Sequence, residues 1–146
     1  MNRLKTTQAG GFVLIEALVS IAIFSFALIG LVSLQSASVA AATDAKYRSD
    51  ASYLSTQIIG QLWSDRPNIA TYNHRSTGAP CLPGGAATTN PVVLSWLAEV
   101  AATLPGAASG VQTLSIAADN TVTVVVCWKR AQDVDYHQQV TVAQVN

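Results

Sequence analysis

An α+β fold, with a long N-terminal α-helix laid across a small antiparallel β-sheet, is predicted by three features of this 146-residue sequence. An apolar run fills positions 12–32, a stripe of helical period follows it to position 63, and alternating, strand-like segments occupy the last third. The length suits one small domain plus an extra element. Half of the residues are apolar and 11% are charged, where roughly a quarter charged is usual. A large apolar surface must therefore be covered, either by lipid or by other chains.

The helix comes first. Phe12 to Val32 reads FVLIEALVSIAIFSFALIGLV, apolar on every side with Glu16 as its one charge. About 20 such residues span a bilayer core. Arg3 and Lys5 precede the run, which places the N-terminus in the cytoplasm. The apolar stretch is longer than the core of an ordinary secretory signal. An acid inside a membrane helix is costly and normally has a partner, although a position near the interface lowers the cost. Beyond the run, Tyr47, Ala51, Leu54, Ile58 and Leu62 recur at spacings of three and four, one stripe of an amphipathic helix. The helix is expected from Phe12 to about Trp63, roughly 78 Å at 1.5 Å per residue, and Pro67 lies just beyond it. Gly30 weakens it by about 1 kcal/mol relative to Ala, and serves either as a flexible point or as a close-packing site.

Positions 66–90 are rich in Pro, Gly, Thr and Asn and read as a loop. Asn90-Pro91 opens a second, short helix, because Asn caps well and Pro suits the first helical position. Val93, Leu94, Trp96, Leu97, Val100, Ala101 and Leu104 supply its apolar positions, and Pro105-Gly106 closes it. Val111–Ala117 and Thr121–Lys129 flank a turn at Asp119-Asn120, and Val134–Val145 alternates as a third strand. Val122, Val124, Val126 and Trp128 should share one face. Trp63, Trp96 and Trp128 are expected in the core between helix, short helix and sheet.

Formal net charge is zero, which offers no electrostatic argument for nucleic acid. Without Arg3 and Lys5, six basic residues remain against eight acidic ones. Cys81 and Cys127 form an even pair, which in an exported chain favours one disulfide and in a cytosolic chain would mean little. His74 and His137 lack any zinc-finger spacing with the cysteines and read as surface histidines. No nucleophile elbow or phosphate loop is present, so neither catalysis, metal nor cofactor is expected. Lys129, Arg130 and the 66–90 loop are the exposed-looking candidates for outside contacts.

The segment Gly11-Phe12-Val13-Leu14-Ile15-Glu16-Ala17-Leu18 resembles the class III signal of type IV pilins and pseudopilins. The resemblance implies a leader over 1–11, a filament-core and membrane helix over 12–35, an amphipathic half over 36–65 and a globular head over 66–146. It implies cleavage by a prepilin peptidase between Gly11 and Phe12, N-methylation of Phe12, and a docking role for Glu16 in subunit assembly. Val13 stands where Thr or Ser is usual. Ala27-Leu28-Ile29-Gly30-Leu31-Val32-Ser33-Leu34-Gln35, Trp96-Leu97, Leu104-Pro105-Gly106 and a cysteine pair bridging the loop to a late strand are similar to PilV-type minor pilins, the type IV pilus modification proteins.

That likeness implies a structural subunit that primes a pilus or sits near its tip, serving adhesion, twitching motility or DNA uptake. Its implied partners are other minor pilins, the major pilin and the inner-membrane assembly platform. It implies residence in the inner membrane before assembly and on the pilus afterwards. A minor pseudopilin of a type II secretion system has nearly the same N-terminal third. A membrane-anchored periplasmic domain that never polymerises is the alternative of another class.

Overall fold

A computed structural model describes residues 10–145; Arg3, Lys5 and the rest of the expected leader before Gly10 lie outside the described residues. Helix α1 runs from Gly10 to Ser64, 55 residues. It contributes to two compact units, one extending through Thr43 and the other beginning at Asp44.

In the second unit the helical stripe is the buried one. Ala51, Leu54, Ser55, Ile58 and Leu62 are almost inaccessible, with Tyr47 packed at the edge. These positions fall on one face at a 3.6-residue period. Ser55 is tolerated there because its hydroxyl donates to the Ala51 carbonyl at 2.8 Å. Helix α2, Pro91–Thr103, begins as expected: the Asn90 side chain accepts from the Val92 amide at 2.9 Å. Its buried residues are Val93, Trp96, Leu97 and Val100. Trp96 also donates its indole N–H to the Leu54 carbonyl of α1 at 2.8 Å. Leu94 and Ala101 face outward, so the apolar face is narrower than the sequence implied.

The main sheet has the order β3 (Thr113–Ile116), β4 (Thr121–Trp128), β5 (His137–Gln144), all antiparallel. Central strand β4 presents Val122, Val124, Val126 and Trp128 to the core. Its opposite face is not solvated throughout, since Val125 and Cys127 are covered by Cys81 and Val111. The turn after α2 needs Gly106. Its φ is +63°, and a Cβ there would stand 2.6 Å from the Lys129 carbonyl oxygen.

The 66–90 stretch is more ordered than a loop. A 3₁₀ helix spans Arg66–Tyr72, and a small hairpin pairs β1 (Thr77–Ala79) with β2 (Leu82–Gly84). Tyr72 is buried and donates its hydroxyl to Asp65 at 3.0 Å. Burial, followed by that carboxylate, raises the Tyr72 pKa. The Pro- and Gly-rich composition was therefore turn chemistry for tight local structure. Two further expectations need correction. Trp63 is 42% exposed, its ring covered by Arg66 at 4.5 Å rather than by the core. His74 is 3% exposed, not a surface histidine.

Candidate functional site

The N-terminal motif lies on helix. Phe12 and Glu16 are four residues apart on α1, one turn and the same face. From Phe12 to Val39 every described large apolar side chain is between 46 and 76% exposed. This helix is long and apolar enough to cross a membrane. Two of its hydroxyls are already matched to such a setting. Ser25 donates to the Ile21 carbonyl at 2.8 Å and Ser33 to the Ile29 carbonyl at 3.2 Å, so neither needs water. Glu16 is different. Among the described residues it has no ion-pair partner, and the next charge along the chain is Asp44. Lipid or protein around this helix would have to supply one. A Cβ added at Gly30 would meet nothing within 4 Å, so the fold of a single chain does not require glycine there.

The cysteines meet. Cys81, in the tight turn between β1 and β2, is bridged to Cys127 in β4, with 5.6 Å between their Cα atoms. The bridge ties the hairpin to the outer face of the sheet.

Arg130 is not a free surface cation. Its guanidinium grips Asp133 with two nitrogens at 2.9 Å and reaches Asp44 of α1 at 2.7 Å. Asp133 also meets His137 Nε2 at 3.0 Å, and the His137 ring stacks on Trp128. Arg130's hydrogen bonds hold the Asp133 carboxyl well below the ordinary carboxylate range, outweighing its desolvation; the Arg130 amide and His137 add to the effect. The Arg130 pKa is raised by the same contact. This network joins α1, the β4–β5 connection and β5 within one unit. Lys129 is likewise engaged, donating to the Val134 carbonyl and lying over Tyr136.

Sequence reasoning missed two polar side chains that hold the head together. His74 Nδ1 accepts from the Thr88 amide at 3.2 Å, and Nε2 faces the Ser109 carbonyl at 2.9 Å. That pairing suits the neutral tautomer with its proton on Nε2. Gln112 is fully buried and pairs with the Cys127 peptide as a strand would. It accepts from the Cys127 amide at 2.7 Å and donates to the Cys127 carbonyl at 2.9 Å. No spacing rule announces either residue, because both partners are distant in sequence. Among the described residues no group of three metal-ligating side chains occurs. In comparisons with protein-family models, curated proteins and solved structures, nothing matches this chain.

Proposed function

We propose that the chain is a minor pilin, processed between Gly11 and Phe12, that primes assembly of a type IV pilus or sits near its tip. The observation that carries this reading is one juxtaposition. A Gly-Phe junction and an acid one turn beyond it stand at the head of a helix whose large apolar side chains face outward from Phe12 through Val39.

The chemistry follows from that placement. Cleavage leaves a cationic amine on Phe12, which methylation preserves. In a filament core, Glu16 of one subunit meets the amine of a neighbour, and each offsets the other's desolvation. A subunit docked in the wrong register leaves both charges buried and alone, at a cost of several kcal/mol. The apolar helix resides in the inner membrane before assembly and in the filament core afterwards, with the head outside. The partners are the prepilin peptidase, other minor pilins, the major pilin and the assembly platform. The protein is a substrate of the peptidase and has no catalytic task of its own.

The test is a clean deletion, read by pili in sheared surface fractions and by export of secreted enzymes. Loss of pili with normal secretion, restored by wild type but not by a Gly11 variant that resists cleavage, is the expected result. Normal pili with lost secretion would assign the chain to the pseudopilins instead. A mature protein that retains residues 1–11 would favour the non-polymerising anchored domain.

A further inference from the structure

Strand β5 is an unprotected edge. It is the outermost strand of the three-stranded sheet, and nothing described pairs with its far side. Edge strands are usually guarded by Lys, Pro, a bulge or an inward charge. His137–Gln144 reads HQQVTVAQ and contains no Lys, Arg, Asp, Glu, Pro or Gly.

The direction of its backbone groups follows from the ladder. The Val145 amide donates to the Asn120 carbonyl at 3.1 Å. Backbone groups alternate sides along a strand. Odd-numbered residues therefore turn their N–H and C=O toward β4, while Gln138, Val140, Val142 and Gln144 turn theirs to the open side. A long contact agrees: the Gln139 side-chain amide reaches the Val140 carbonyl at 3.5 Å, a weak occupant that another strand's amide can displace. The side chains of the same four residues are exposed on the outer face, Val140 by 45% and Val142 by 61%.

These four residues read Gln-Val-Val-Gln from either end. We propose that β5 is a self-pairing edge, and that its occupant is β5 of a second copy, antiparallel about a two-fold axis through Thr141. In that register Gln138 faces Gln144, Val140 faces Val142, and Thr141 faces itself. Every cross-strand pair on the outer face joins like with like, and no two charges oppose. Each of the four edge residues donates one backbone hydrogen bond and accepts one. The two sheets become a single sheet with an isologous interface. A shift of two residues in either direction sets Val against Gln, so the palindrome selects one register. This pairing goes beyond the assembly role proposed above and does not depend on it.

The test uses single-cysteine variants of the full chain in detergent micelles under mild oxidation, with the Cys81–Cys127 bridge intact. Thr141→Cys occupies the axis as a pair that is not hydrogen-bonded, where opposing side chains come closest. It is expected to cross-link to dimer. Gln139→Cys faces Ala143 of the second copy and is expected not to cross-link with itself, whereas mixing Gln139→Cys with Ala143→Cys restores the dimer. The mixture also tests the register if Thr141→Cys folds poorly. Adding Val140→Pro removes an edge-facing N–H, a position where a strand tolerates proline, and is expected to cut dimer yield about tenfold. Equal cross-linking at 139 and 141, or a yield unchanged by Val140→Pro, would overturn the proposal by assigning the contact to collisions through the apolar helix.

Discussion

His74 and Gln112 do in the head what secondary structure does elsewhere: they satisfy buried backbone groups. Replacing His74 with Ala leaves the buried Thr88 amide without a partner, while the Ser109 carbonyl keeps the Gln112 amide at 3.4 Å, and an orphaned buried group costs about 1–3 kcal/mol. A loss of about 1–3 kcal/mol in urea-unfolding free energy is expected for His74→Ala. Gln112→Leu should be comparable, since it strands both ends of the Cys127 peptide. Asp133 acts through charge. Its folded pKa is lowered, chiefly by Arg130, so its contribution is present at pH above the unfolded value near 3.9 and fades as pH falls below it. Asp133→Asn should therefore unfold at lower temperature than wild type at pH 6–7, and the gap between the two melting curves should begin to narrow only below about pH 4. Glu16 is the contrary case. It is exposed and has no ion-pair partner among the described residues, so Glu16→Ala should leave the melting of the head unchanged while assembly fails. Normal filaments from that variant would remove the docking role.

At the scale of elements, helix α1 has two different surfaces because it meets two different surroundings. Through Val39 its apolar side chains are exposed all round, whereas from Ala51 a narrow stripe is buried against α2 and the sheet. Trp96 joins the elements, filling the core and hydrogen-bonding the Leu54 carbonyl. Trp96→Phe keeps most of the packing and loses that bond, for an expected destabilisation of about 1 kcal/mol by calorimetry. The hairpin β1–β2 has little core of its own, and its attachment to β4 runs through Cys81–Cys127, 46 residues apart. Closing a loop of that length constrains the unfolded chain by about 4 kcal/mol in the chain-entropy model. A Cys81→Ser, Cys127→Ser double variant should lose stability on that order in denaturant titration. Gly30 lies within the exposed stretch, and Gly30→Ala should raise helicity in micelles slightly. Impaired assembly by that variant would mean that neighbours pack closely on the glycine.

Across the whole molecule, what was legible was what local chemistry decides. The helix-period stripe located the buried face of α1. Asn90-Pro91 located the start of α2, and Asp119-Asn120 the turn between β3 and β4. The apolar run located the helix that is long and apolar enough to cross a membrane. Each signal lies within a few residues of the structure it specifies, so periodicity or turn preference suffices to read it. The tertiary structure decided the rest. His74 looked like a surface residue because its partners are Thr88 and Ser109. Arg130 looked free because Asp44 lies 86 residues upstream. Trp63 looked like core, yet its place on the helical face turned it outward beside Arg66. The 66–90 segment looked like loop because its hairpin is held by a distant bridge and not by its own apolar residues. Composition and period determined which elements form and which stretch seeks apolar company, because those depend on neighbours along the chain. Only the fold decided which polar groups are buried, paired or left at an open sheet edge, because those depend on neighbours in space.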